Sequence, residues 1–311
     1  MRTRALVVVT ALLLPRAAPA ASRWCDLLPR PANDALERVA VSSDWFVVYR
    51  AAAGVFALVE PYQFQEAISY VIVGRDRALL FDTGLGMVPI RPVVEQLTRL
   101  PVLVLNSHSH FDHVGGNAEF REVLALDLPY TRQNAGGFPH AHLADEVAPD
   151  AFCRGAPKGL DPAAYATRPW TATRTIADGE KIDLGGRTLE VLRAPGHTPD
   201  AIALLDRAGG LLWTGDSLYE GTIYLFSPET SLDDYERSMA RLAALVPALK
   251  QLLPAHNTAS VEPRRIQQVK DAIREVRAGG AKGTKETGGR VVFAFDGFSI
   301  LVSEKALAGS R

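Results

Sequence analysis

Apolar residues in this chain gather mostly in short, dense runs broken by Gly, Pro and Asp. The stretches 43–60 (SDWFVVYRAAAGVFALVE) and 67–82 (AISYVIVGRDRALLFD) are rich in Val, Ile, Phe and Tyr, and GRDR splits the second, so both predict short strands. From Pro89 to Leu100 the apolar positions Ile90, Val93, Val94 and Leu97 have helical spacing, and Pro101 ends the helix they predict. PVLVLNS then reads as a fully apolar strand, and 119–123 leads into the next one. Between Tyr130 and Trp170 no period persists, and a long unstructured segment with a functional role is expected there. Order returns with DGEKIDLGGRTLEVLRAPG, two strands about a Gly-Gly turn, and with AIALLDRAGGLLWTGD, another hairpin. Leu232 to Leu253 and Val261 to Arg277 predict amphipathic helices. AGGAKGTKETGG reads as a flexible linker, and VVFAFDGFSILV as a closing hairpin about Asp296-Gly297. LLFDTG and LLWTGD look alike, a weak sign of a duplicated half-domain.

Composition narrows the class of protein. With 311 residues, 47% of them hydrophobic, and a formal net charge of -1, the chain can bury a sizeable core and has no electrostatic case for nucleic acid or an anionic membrane as partner. The first twenty residues stand apart: a basic MRTR, the apolar run ALVVVTALLL and the small-residue ending PRAAPA predict a secretory signal peptide cut near Ala20. The apolar run is too short to span a bilayer comfortably, so the expectation is an exported protein, periplasmic or secreted, with no stable membrane insertion. Cys25 and Cys153 could pair in an oxidising compartment or remain two free thiols; the sequence leaves both open.

Histidine is where the chemistry concentrates. Of seven histidines, three fall within NSHSHFDH, where His108, His110 and His113 surround Asp112 directly after an apolar strand. Imidazole nitrogen and carboxylate oxygen at this density suit Zn²⁺, with Fe or Mn also compatible. Three further candidates stand after apolar runs downstream: His197 in APGHTPD, Asp216 in WTGDS and His256 in LLPAHN. One edge of a sheet could gather all seven, because strand-end loops on a rigid scaffold are where function usually lies. His140 and His142 share the H-x-H spacing but sit in the Pro/Gly-rich region, and are expected to be solvent-exposed loop histidines. Tyr62 and Phe64, with Phe138, Phe152 and Trp170, either line an apolar cleft or pin their loops.

H-x-H-x-D-H at 108–113, followed by Gly-His, Gly-Asp and a last His, resembles the metallo-β-lactamase superfamily from about Tyr70 to Asn257. The resemblance implies a four-layer αββα sandwich carrying two divalent metal ions at one edge, here with an added C-terminal β-hairpin. Together with the residue patterns above, the expected organisation is a signal peptide at 1–20, a hydrolase domain of this family at 21–280, and a linker and hairpin at 281–311 packed on that domain. By the family pattern His108, His110 and His197 hold the first ion, Asp112, His113 and His256 the second, and Asp216 both, with Asp82 supporting the site from behind. His110 argues against the flavodiiron oxidoreductases, and Asp216 against true zinc β-lactamases. FDTGLG, TGDSLYEG and SLDDYERSMARLAAL resemble the acyl-CoA thioesterase branch. The implied reaction is hydrolysis of a thioester, ester or lactone in a small acyl substrate by a hydroxide bridging the two ions, with Asp112 and Asp216 catalytic. Tyr219 either assists the oxyanion or leaving group or simply packs. The export signal and the C-terminal hairpin depart from that branch and argue against coenzyme A itself as leaving group. A β-lactam hydrolase is the alternative, followed by a mononuclear iron persulfide-dioxygenase type, from which metal content distinguishes it.

Overall fold

A computed structural model describes residues 24–309, so the expected signal peptide at 1–20 lies outside the described residues. The first sheet has eight strands in chain order: β1 (Glu37–Val39), β2 (Val47–Ala52), β3 (Val55–Val59), β4 (Ile68–Val73), β5 (Ala78–Phe81), β6 (Val102–Leu105), β7 (Val123–Leu126) and β8 (Arg174–Ile176). It is an antiparallel meander as far as β5 and parallel from β5 to β8. The second sheet is built from β9 (Lys181–Asp183), β10 (Thr188–Arg193), β11 (Ile202–Asp206), β12 (Leu211–Gly215) and β14 (Gln251–Pro254), in the order β14-β12-β11-β10-β9.

Every residue of β5, β11 and β12 is buried, which requires cover on both faces. Alternation along each strand supplies it. Leu79, Phe81, Ile202, Leu204, Leu211 and Trp213 meet in the core between the two sheets. Ala78 and Leu80 instead face an outer core containing Val93 and Val94 of the Arg91–Leu97 helix. Ala203, Leu205 and Leu212 face another, with Tyr235 and Met239 of the Leu232–Ala243 helix and Ile266, Val269 and Ile273 of the Arg264–Arg277 helix. The result is the αββα sandwich, and the second sheet's helices are held by burial of one amphipathic face each. Among the described residues no helix is long and apolar enough to cross a membrane.

Four sequence-based expectations change. The helix expected over Leu232–Leu253 stops at Ala243; Pro247 cannot continue it, and Gln251–Pro254 becomes β14 beside β12, where Leu252 and Leu253 enter different cores. The next helix starts at Arg264 rather than Val261, because Val261 bridges Leu252 and Pro263 precedes the first turn. Part of the expected linker forms β15 (Thr284–Glu286), which pairs with β16 (Arg290–Phe295). With β17 (Phe298–Ser303) and the unanticipated β13 (Thr222–Leu225), these make a third sheet, β13-β17-β16-β15, whose Val291, Phe293, Phe298 and Ile300 share the second sheet's helical core. The segment 130–170, expected to lack elements, carries helices Pro129–Asn134 and His140–Leu143 and several single turns. Leu143, Val147, Ala151, Phe152, Tyr165 and Trp170 bury it against the first sheet's outer face. Cys25 and Cys153 are joined as a disulfide with Cα atoms 5.6 Å apart.

Candidate metal centre

The parallel pairs β5/β6 and β12/β14 end at one edge of the sandwich, and each ends in a polar residue. Asp82 follows β5, the NSHSHFDH loop follows β6, Asp216 follows β12 and His256 lies two residues past β14. His197 follows β10 through the Pro195-Gly196 turn. Two glycines bring these loops together. A Cβ on Gly215, at φ +51°, would stand 2.5 Å from the Ser107 side chain, so only glycine lets Asp216 come up beside His108. A Cβ on Gly196, at φ +142°, would lie 2.3 Å from the Tyr235 backbone, so this turn is clamped directly on the helix below.

The donor atoms converge in overlapping groups: His108, His110 and His197; His108, His113 and Asp216; Asp112, His113 and His256. Within each, the ligating atoms lie no more than 4.8 Å apart. Asp216 stands between the two ends. Its Oδ2 is 3.5 Å from His197 Nε2 and 4.0 Å from His108 Nε2, while its Oδ1 is 3.0 Å from His256 Nε2 and 3.4 Å from His113 Nε2. Asp112 Oδ2 is 3.5 Å from His113 Nε2 and 3.6 Å from His256 Nε2. His108 Nε2, His113 Nε2 and Asp216 Oδ1 are buried without a hydrogen-bond partner. Burying such atoms unpaired is costly, and cations among them would satisfy all three. The donor set therefore fits divalent metal.

Outer partners fix the rings. His256 Nδ1 donates to the Gln65 carbonyl and His197 Nδ1 to the Tyr224 carbonyl, both at 2.7 Å, which turns each Nε2 toward the centre. His113 Nδ1 lies 3.1 Å from Asp82 Oδ2, and the other oxygen of Asp82 accepts the Ser107 amide at 2.6 Å. Asp82 holds this position at φ +64°, a conformation that non-glycine residues rarely adopt. Charge differs between the two ends. Burial holds His108 well below the usual imidazole range and pushes His110 down to about 3, aided by neighbouring imidazoles. At the other end burial also disfavours charge, but Asp112, Asp216 and Asp82 outweigh it and hold His113 well above its usual value; Asp216 raises His256. Burial would push Asp112 and Asp216 up, yet the adjoining His113 and His256 hold both down, Asp216 well below its usual range.

Other candidates fall outside the centre. The buried Tyr219 donates its hydroxyl to the Thr222 carbonyl at 2.5 Å, with its ring 5.1 Å from that of His256. This favours packing over the catalytic role considered for Tyr219, since its one proton is committed to the backbone. His142 is exposed and His140 half-buried, its Nδ1 donating to the Tyr165 carbonyl; both lie on a short helix, not in a loop. Phe152 and Trp170 are core residues pinning their segment, and Phe138 packs edge-on against Phe111. Phe64 is exposed, and Tyr62 is half-buried against Trp45. Sequence reasoning missed Asp200, a buried carboxylate accepting from Ser109, Thr131 and Thr198 that braces the loop between His108 and His110. Its only signal is its place three residues after His197.

A sandwich with such a cluster at its strand ends defines a metal-binding protein with its site on the strand-end loops. The Metallo-beta-lactamase superfamily matches residues 67–256, and the chain belongs to it. Acyl-coenzyme A thioesterase MBLAC2 of Gallus gallus is 27% identical over 226 residues, 68% of this chain and 81% of that protein. Hydroxyacylglutathione hydrolase of Aeromonas hydrophila is 33% identical over 186 residues, 58% of each chain. Among solved structures, the inverting sec-alkylsulfatase Pisa1 from Pseudomonas sp. matches with a TM-score of 0.58 at 16% identity, over 75% of this chain and 42% of that one.

Proposed function

We propose that this protein is a dinuclear thioesterase acting on an apolar acyl group. One observation carries the reading: the two oxygens of Asp216 face opposite groups of imidazoles, Oδ2 toward His197 and Oδ1 toward His256. A carboxylate so placed can serve two cations at once. His108, His110 and His197 would hold one, and Asp112, His113 and His256 the other. When bound, such a pair, zinc by preference from its N/O ligand set, supplies Lewis acidity and brings the pKa of water near neutrality. Asp112 and Asp216, whose carboxylates together border both groups of imidazoles, would accept a hydrogen bond from the attacking water and orient it. Asp82 keeps His113 in its ligating orientation.

Apolar groups on two sides support an acyl substrate. The exposed Phe64 precedes Gln65, whose carbonyl holds His256, and the exposed Tyr224 supplies the carbonyl that holds His197. The names of the two curated relatives also denote release of an acyl group from a thiol. The expected signal peptide at 1–20 makes the protein an exported one, and N-terminal sequencing should find a mature chain starting near Ala21. Elemental analysis should give about two ions per chain at full occupancy, and thioesters should turn over faster than lactones, β-lactams or phosphodiesters. A fully occupied protein with one ion, or one preferring β-lactams, would refute the reading.

A further inference from the structure

The chain N-terminal to the family match reaches the metal centre. Residues 24–36 form a strap: a single turn at Trp24–Leu27, then a short helix, Pro31–Asp34. The first turn has no buried residue, and Asn33 is the buried residue of the second. Between strap and first sheet lies a cavity of about 430 Å³, lined by Leu28, Leu36, Val47, Tyr49 and Val59 among others. Apolar packing reaches the strap at its end, where Leu36 lies against the core between the sheets. The strap's polar anchors converge on the loop that carries His256.

Arg30 Nε donates to Glu66 Oε2 at 2.9 Å and its Nη2 to Glu66 Oε1, and Nη2 also reaches Asn257 Oδ1 at 3.2 Å. Asn33 Nδ2 donates to the Asn257 carbonyl at 2.9 Å, and its Oδ1 accepts from the Ala259 amide at 2.7 Å. Glu66 and Asn257 have φ of +44° and +65°. A glutamate keeps such a backbone only where the surroundings over-determine it, whereas asparagine tolerates it more readily. The two positions flank the bond that aims a metal ligand: Gln65 gives its carbonyl to His256 Nδ1, and the Asn257 amide donates to the Glu66 carbonyl at 3.2 Å. Asn257 Nδ2 also donates to the Glu220 carbonyl, tying in the loop that follows Asp216. The strap's far end is fastened covalently, through Cys25 to Cys153, and the Cys153 amide donates to the Tyr62 carbonyl.

We propose that the strap is a positioning element for the His256 end of the centre, with Arg30 and Asn33 as positioning residues and the disulfide as its latch, so that it sets how tightly that end holds its cation. The inference rests on the two-cation reading. Arg30 touches no ligand; it acts by holding Glu66 and Asn257, and through them the Gln65 carbonyl and the His256 backbone. Outer partners of metal ligands commonly tune affinity by about 10- to 100-fold.

Chelator-buffered Zn²⁺ titration of the metal-stripped protein tests this. Histidine ring NMR signals identify the ends: His113 and His256 report one, His108, His110 and His197 the other. In Arg30→Ala and Asn33→Ala, binding at the His256 end should weaken by about 10-fold or more, with the other end within about 3-fold. Arg30→Lys, which keeps the charge opposite Glu66 but not the two-pronged contact, should fall between. The double variant Cys25→Ser with Cys153→Ser should show the same one-sided loss, smaller in size. Should Arg30→Ala fail to fold, Arg30→Lys and the cysteine variant decide. Unchanged affinities, or equal weakening at both ends, would overturn the proposal, since a general structural role moves both. Wild-type protein taking up one ion would instead overturn the dinuclear reading, and this inference with it.

Discussion

The strand-end rim and the Tyr130–Trp170 cover differ in what they bury. The rim buries charge: His108, Asp112, His113, His197, Asp216 and His256 are all buried, with ligating atoms that hydrogen bonds within the protein leave incompletely satisfied. The cover buries hydrocarbon: Leu143, Val147, Phe152 and Trp170 close the outer face of the first sheet. A site that needs cations is stable locally only at a cost that the rest of the fold must offset, and the cover is part of what offsets it. Mutations in the two regions should therefore separate chemistry from stability.

Asp216→Asn should give the largest effect. It preserves volume but removes the negative charge facing both groups of imidazoles, so kcat/KM should fall by at least a thousandfold, about 4 kcal/mol in barrier. The variant should still fold, because Leu211, Leu212 and Trp213 of β12 keep their contacts, and circular dichroism should show the wild-type secondary structure. A folded variant retaining most activity would show that this carboxylate is not central. Leu143→Ala should do the reverse. Its side chain is fully buried in the cover, so urea denaturation should reveal a loss of about 3 to 4 kcal/mol. The folded fraction should keep kcat/KM within a few-fold, and a loss of activity without a loss of stability would erase the contrast.

Glu60 is a buried carboxylate under the cover. It accepts from Trp45 Nε1 and from the Leu85 amide, whose own carbonyl accepts from Tyr165 of the cover. Burial pushes its carboxyl up to about 7. A raised folded pKa means stability present at low pH that is lost as pH rises, here from about 4.5 to about 7, by up to about 3 kcal/mol. Glu60→Gln should flatten that part of the profile relative to wild type; parallel profiles would place the pH dependence elsewhere. The smallest effect is expected at His142, exposed on its short helix: His142→Ala should alter stability by no more than about 0.5 kcal/mol and leave kcat/KM unchanged.

The candidate ligands that the fold brings together were legible because their signal is local. An apolar strand followed by a histidine-rich loop can be read from a dozen residues, and strand ends in a layered sandwich share an edge. Asp200, Arg30 and Asn33 were not legible. Each acts through partners distant in the sequence, Asp200 on Ser109 and Thr131, Arg30 and Asn33 on Asn257, and the local pattern marks none of them beyond the place of Asp200 three residues after His197. Tyr219 shows the opposite limit: its place three residues after Asp216 suggested chemistry, and only the fold shows its hydroxyl given to Thr222.

By itself, then, the sequence determined which side chains could bind metal and that they follow strands, because residue type and short-range periodicity are properties of neighbouring residues. Tertiary structure decided the rest. Whether Gln251–Pro254 extends a helix or joins a sheet depends on β12 offering an edge to pair with. Whether 222–225 and 284–286 become strands depends on the C-terminal hairpin lying between them. Asp216 faces two groups of imidazoles only because Gly215 lets β12 close on Ser107. Hydrogen bonds and close contacts between remote segments have no counterpart in local sequence, and they are what turn seven suitable residues into one centre.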